Sequence, residues 1–111
     1  MTTEARKRLH DIRLAAKALD RFTAGKSIDE FKGDEVLQAA LERKLAIIGE
    51  AFVHLREEDA ATADTFSDLR KIVGMRNRLV HGYDQLDLDV VWDTTINHVP
   101  NLLQQVEAAL K

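Results

Sequence analysis

Three observations predict an all-α protein: a four-helix bundle with a short extra helical turn and a last helix kinked at its proline. Ala, Leu, Glu, Lys and Arg are plentiful, while the 111 residues hold one proline and five glycines, so intrinsic propensity favours helix nearly throughout. Apolar residues recur at three- and four-residue spacings over long stretches, the period of one buried helix face. Residues that cap helices stand where those stretches begin, and glycine stands where they end. At this length residues 1–111 read as one domain, large enough for a single core and small enough that a second subunit would usefully add to it.

The first helix is predicted from about Thr3 to Thr23 behind a threonine N-cap, with Leu9, Ile12, Ala16, Leu19 and Phe22 on its inner face and Gly25 as its stop. Ser27-Ile28-Asp29-Glu30 has capping-box spacing, so a short helical turn follows before Gly33. Asp34 then caps a long second helix to about Leu55, whose stripe of Leu37, Leu41, Leu45, Ile48, Phe52 and Leu55 fits a bundle seam. Gly49 interrupts that helix, which points to close helix packing there, with Gly74 as the candidate neighbour. Glu57 to Thr65 is polar and alanine-rich and reads as a turn, with Thr65 as the cap of a third helix from Phe66 to about His81. Gly82 suits the position just past that helix. The last helix spans about Leu88 to Leu110, with a kink or break near His98 and Val99 imposed by Pro100.

Several function classes fall away on composition. No cysteine is present, which excludes disulfides and thiolate metal sites and fits a reducing compartment. The first 20 residues are charged throughout and no apolar run approaches the roughly 20 residues of a membrane span, so a cytoplasmic location with no membrane contact is expected. The net charge of −3, from 16 basic and 19 acidic residues, argues against a general nucleic-acid coat protein. Its distribution matters more. Between Phe66 and Tyr83 four cations, Arg70, Lys71, Arg76 and Arg78, face Asp68 alone, a local +3 in an otherwise acidic chain. Asp84, Asp87, Asp89 and Asp93 follow directly and read as a solvated face.

The most informative segment is Arg76-Asn77-Arg78-Leu79-Val80-His81-Gly82-Tyr83. It puts an always-charged guanidinium, a titratable imidazole and a phenol within two helical turns. Arg76 falls on the apolar stripe formed by Leu69, Ile72, Val73, Leu79 and Val80, so it wants an acid, a phosphate or a second subunit as partner. On an ideal helix Arg76 and His81 stand about 140° apart, since each residue advances about 100°. His81 instead shares a stripe with Arg70, Gly74 and Asn77, and the missing side chain at Gly74 invites close approach by another helix, for example from a second copy. A lone arginine and histidine on a helix read first as structure, with Arg76 paired to a buried carboxylate such as Glu50 and His81 at a helix C-terminus.

Tyr83 and two flanking strings turn the reading toward a site. Gly74-Met75-Arg76-Asn77-Arg78-Leu79-Val80-His81-Gly82-Tyr83, with Ala46-Ile47-Ile48-Gly49-Glu50-Ala51 upstream and Val90-Val91-Trp92-Asp93-Thr94 downstream, resembles the HepT-like branch of the HEPN superfamily across nearly the whole chain. These small helical bundles carry an arginine, four to six residues, then a histidine, and this branch adds a tyrosine two residues later. Arg76, His81 and Tyr83 match that pattern. One departure is Phe66, without a proline before it, where the family usually has tryptophan after proline at the start of helix three.

The resemblance implies a metal-independent RNA endonuclease, the toxin of a type VII-like toxin–antitoxin pair, that needs no cofactor and acts as a homodimer. Its partner would be a minimal nucleotidyltransferase antitoxin that inactivates it by attaching AMP to Tyr83. The residue chemistry agrees. RNA carries its own nucleophile in the ribose 2′-OH, so Arg76 would hold the scissile phosphate, His81 would move protons and Asn77 would orient either. The alternative is a non-catalytic helical module that binds a nucleotidyltransferase partner.

Other candidates carry less. Glu50, His54 and Glu58 recur at four-residue spacing but read as a solvated face, and no metal site is expected. His10 and His98 lack convergent partners in sequence and read as surface residues, and Trp92 reads as core or dimer interface.

Overall fold

In the computed structural model, which describes residues 1–82 and 86–111, the caps read from the sequence open the first three helices. The Thr2 hydroxyl accepts the Ala5 N–H at 3.0 Å. Helix α1 then runs Thr3–Thr23 and buries Leu9, Ile12, Ala16 and Leu19, with Phe22 only half-buried. At Gly25 φ is 73°, a left-handed turn that a Cβ would oppose. Ser27 and Glu30 make both bonds of the capping box, each 3.2 Å, and open α2, Ile28–Lys32. The Asp34 carboxylate accepts the Leu37 N–H at 3.0 Å and starts α3, Glu35–Glu58. All six residues of the predicted α3 stripe are buried.

The segment predicted as a polar turn is different. Helix α3 continues three residues past Leu55, and a short helix α4, Ala60–Ala63, follows at once. Asp59 makes this possible. Its side chain accepts the Thr62 N–H at 3.2 Å, the Thr62 hydroxyl at 2.8 Å and the Thr2 N–H at 3.3 Å, tying the start of α4 to the start of α1. Thr65 does not cap the next helix, because its hydroxyl donates to the Thr62 carbonyl at 2.7 Å. Phe66 is buried edge-on against Phe52, with ring centroids 5.4 Å apart. Helix α5 starts later than predicted, running Leu69–His81 with Asp68 at its N-cap. Gly82 ends it, as its place in the sequence suggests, with φ −142° and its N–H bonded to the Arg78 carbonyl at 2.9 Å.

The break expected near His98 takes the form of a wide turn. Helix α6, Leu88–Asp93, passes into a π-helical segment, Thr94–His98, and then into α7, Val99–Leu110, with Pro100 in its first turn. Proline has no N–H to donate, so the ladder must open in the turn before it. The Thr94 and Thr95 hydroxyls donate back to the Val90 and Val91 carbonyls at 2.7 and 2.9 Å.

Helix α3 is the centre of the bundle, flanked by α1 and α5, and α7 packs on α1. Its 24 residues make a rod of about 36 Å at about 1.5 Å per residue, which sets the 42 Å long axis of the molecule. The buried apolar residues, Ala18 apart, form one cluster. Trp92 finds its partner within the chain, its ring 5.2 Å from Phe31, so α6 is stapled to α2. Among the described residues there is no strand, and no helix is long and apolar enough to cross a membrane.

Acid should loosen this arrangement at the α1–α3 junction. The Arg8 guanidinium donates to Glu58 at 2.8 Å and holds its carboxyl below the usual range, and the Thr62 hydroxyl does the same for Asp59. A carboxylate with a lowered native pKa contributes stability that is present above its unfolded pKa and is lost as pH falls through the native one. Urea midpoints should therefore drop through the acid range, and the drop should be shallower in Glu58→Gln. Parallel pH profiles for the two proteins would show that this pair is not the cause.

Candidate functional site

Arg76 reaches its position because of what α3 lacks. A Cβ built at Gly49 would overlap the Cβ of Arg76, lie 2.8 Å from its Cγ and 3.3 Å from the Ile72 carbonyl oxygen. The glycine therefore lets α5 press onto α3 at Arg76, and not at Gly74 as the sequence suggested. Among the described residues, a Cβ at Gly74 would meet nothing within 4 Å.

One residue along α3 stands the carboxylate that receives the guanidinium. Arg76 Nε donates to Glu50 Oε2 at 2.8 Å, and Nη2 lies 2.6 Å from the same oxygen. Arg76 Nη1 donates to Asn77 Oδ1 at 2.9 Å. The arginine side chain is 21% exposed. A guanidinium has five N–H donors, so hydrogens on Nη1 and Nη2 remain to receive a two-pronged anion from solvent. Glu50 also lies 3.4 Å from His54 Nε2, one turn further on. Its two oxygens thus face a fixed cation on one side and a titratable group on the other.

The structure brings some predicted residues together and keeps others apart. Arg76, Asn77 and Glu50 form one hydrogen-bonded unit. His81 is exposed in the last turn of α5, as are Arg70, Gly74 and Asn77 along the stripe read from the sequence. Leu79 is half-buried and Val80 is 49% exposed, so the apolar stripe ends before the motif does and Met75 is buried instead. Tyr83, with Asp84 and Gln85, lies outside the described residues.

The Glu50, His54, Glu58 series is divided among other partners, since Glu50 holds Arg76 and Glu58 holds Arg8. His98 departs from its reading as a surface residue. Its Nδ1 is 3.4 Å from Asp68 and its Nε2 3.6 Å from Asp93, so it bridges the cap of α5 to the end of α6. Only chain topology places Asp68 there. Of the trailing aspartates, Asp87 caps α6, Asp89 pairs with Lys32 at 2.8 Å and Asp93 also accepts from Asn97 at 2.7 Å.

An arginine held by a neighbouring carboxylate thus lies five residues before an exposed histidine at the end of the same helix, within an all-α bundle. Comparison with known proteins places it further. Residues 12–109 match the HepT-like family model, described as ribonuclease HepT-like. The chain is 33% identical over 103 residues to "Putative RNase MJ0127" of Methanocaldococcus jannaschii, covering 93% of this chain and 84% of that protein. It is 31% identical over 103 residues to "Probable ribonuclease HepT" of Thermococcus cleftensis, covering 93% of each. It is 34% identical over 87 residues to "Putative RNase TTE0752" of Caldanaerobacter subterraneus subsp. tengcongensis, covering 78% of this chain and 77% of that protein. No solved structure matches. The chain belongs to the HepT-like family, and its all-α bundle is of the HEPN type.

The contact between Gly49 and Arg76 yields a direct test. Alanine is the better helix former by about 1 kcal/mol, yet Gly49→Ala should destabilise the protein by about 1–3 kcal/mol, because the added methyl drives α5 off α3. Urea denaturation measures this, and a stability equal to or above wild type would show that Arg76 moves aside freely.

Proposed function

We propose that this protein is a metal-independent endoribonuclease, the toxin of a type VII-like toxin–antitoxin pair, with Arg76 and His81 catalytic and Asn77 supporting. The observation that carries the reading is the posture of Arg76: fixed by Glu50 through Nε and Nη2, with further donors left for a phosphate. The family descriptions of ribonucleases point to RNA as the polyanion.

The chemistry follows from the substrate. The ribose 2′-OH attacks the adjacent phosphorus, the bond from phosphorus to the 5′-oxygen breaks, and a 2′,3′-cyclic phosphate remains. One proton must leave the 2′-OH and one must reach the departing oxygen. An imidazole exchanges protons near neutrality, so His81 takes one of these roles. Negative charge grows on the phosphoryl oxygens in the transition state, where the guanidinium's remaining donors meet it without first having to be oriented. Glu50 acts as a positioning residue, because it removes the rotational freedom of Arg76 before substrate arrives.

One chain supplies one copy of the motif, and we place a second copy against the stripe of Arg70, Gly74, Asn77 and His81. All four are exposed, and Gly74 leaves space beside them. In this reading a minimal nucleotidyltransferase antitoxin attaches AMP to Tyr83, two residues past His81 in sequence, and the added phosphate competes with RNA for Arg76.

Purified protein should cut RNA in the presence of EDTA and leave a cyclic phosphate, and Arg76→Ala or His81→Ala should abolish cleavage while the helical circular-dichroism signal persists. Loss of activity on chelation would overturn metal independence, and full activity in His81→Ala would favour a helical module that only binds a nucleotidyltransferase. A Cβ at Gly74 meets nothing within 4 Å among the described residues, so for Gly74→Leu protein that keeps wild-type stability a sedimentation shift toward monomer would report on the interface between copies, and an unchanged dimer would exclude this stripe from it. Mass spectrometry after co-expression with the transferase should find AMP on Tyr83. Inactivation with AMP elsewhere and Tyr83 unmodified would refute that assignment.

A further inference from the structure

An open groove of about 730 Å³ runs between α1 and α3 and reaches the last turn of α5 at Val80. Its lining is divided by chemistry. Small and apolar residues, among them Ala15, Ala18, Ala46 and Ile47, form a shallow floor, while Lys17 and Arg21 of α1 and Arg43 and Lys44 of α3 supply cations from both walls.

The two helices run antiparallel, since Arg8 near the start of α1 pairs with Glu58 at the end of α3. The four cations therefore gather at the opposite end of the groove. Val80 lines both this groove and a smaller recess beside Arg43 and Ala46, so the cationic end is also the end at which α5 presents His81.

Charge balance distinguishes the occupant. Among the described residues, none of Lys17, Arg21, Arg43 and Lys44 is in an ion pair, and the pairs that touch the groove are those of Arg8, Glu50 and His54. Two carboxylates line the groove, Asp11 and Glu50, and Glu50 is engaged with Arg76. A second copy of this chain would bring the same surplus of unpaired cations to the contact, and the buried core of a protein interface is depleted in charge and in lysine. A nucleic-acid strand brings phosphates and displaces the counterions of those cations instead. The strand must also be unpaired at the scissile bond, because the 2′-OH has to swing in line with the bond that breaks and an A-form duplex holds it away.

We propose that the α1–α3 groove is the track for single-stranded RNA leading to Arg76 and His81, with Lys17, Arg21, Arg43 and Lys44 contacting its phosphates. This rests on the reading of the site as a ribonuclease and extends it to residues on helices outside the motif. Among the described residues the alanine floor gives room for sugars and bases and holds no phenyl or indole ring, so the groove grips the backbone and leaves base identity unread.

The test separates binding from cleavage by using His81→Ala protein, which retains the groove, with a fluorescein-labelled single-stranded oligoribonucleotide. Each phosphate contact contributes about 0.7 to the slope of log affinity against log salt for a single strand. Lys17→Ala/Lys44→Ala, made in that background and titrated between about 50 and 200 mM salt, should lower the slope by about 1.4. Adding Arg21→Ala and Arg43→Ala should lower it by about as much again. A control pair outside the groove, Lys26→Ala/Lys111→Ala, should leave it nearly unchanged.

An unchanged slope in the groove variants, an equal loss in the control, or no RNA binding by the parent would overturn the track. A changed sedimentation coefficient at constant slope would also overturn it, by making the groove an interface between copies. If the wild-type protein cuts no RNA while the groove variants still lose salt slope, the ribonuclease reading fails and the binding track stands.

Discussion

The contact between α3 and α5 at Gly49 and Arg76 is the constraint on which the rest of the site depends. A long cationic side chain lies at a helix–helix seam, where its aliphatic stem replaces the missing side chain of a glycine and its head reaches Glu50 one residue along. Burying that stem keeps apolar surface from water, while the carboxylate meets part of the guanidinium's demand for acceptors. A bulkier residue at 49 would separate the helices, and an apolar one at 50 would leave the head without its anchor. Fold and candidate chemistry are thus coupled through two neighbouring residues on one helix.

That coupling explains why the bundle is built around α3. It is the longest helix, it is flanked by α1 and α5, and its six-residue stripe is fully buried. Its outer face is then left to carry the polar groups: Arg43 and Lys44 toward one end, Glu50 and His54 in the middle, Glu58 at the other end. The caps at Thr2, Asp34 and Asp59 fix where the helices start. Since Asp59 bonds both Thr62 and Thr2, the register of α1 along α3 is set at the end remote from the motif. The groove between these helices inherits its shape from that register.

The end of α5 has a different character. The apolar stripe gives out at Leu79, Val80 is half exposed, and Arg70, Gly74, Asn77 and His81 all face outward. A helix that ends this way buries little at its terminus and holds its chemistry at the surface. Arg76 is the exception because α3 grips it. In the proposed reaction this suits Arg76 as the group held rigid before substrate arrives and His81 as the group open to solvent to exchange protons.

Much of this was legible in the chain itself. Helix propensity, the three- and four-residue spacing and the local caps act over a few residues, so α1, α2 and the start of α3 stand where the sequence puts them, and Ser27 and Glu30 form the box their spacing announces. The arginine, histidine and tyrosine pattern, the candidacy of Glu50 and the membership of the HepT-like family were also readable, because motif spacing and residue chemistry are properties of the chain. Other features needed the fold. Gly49 and Gly74 look alike in sequence, yet one meets Arg76 and the other open space, since only the rotation of α5 about its axis decides which side faces α3. His98 gained Asp68 as a partner from 30 residues away, and Phe66 became a packing group against Phe52 where a helix start was expected. The cations of α1 carry no motif at all. They meet those of α3 only because two helices pack antiparallel, a long-range relation that no local spacing encodes.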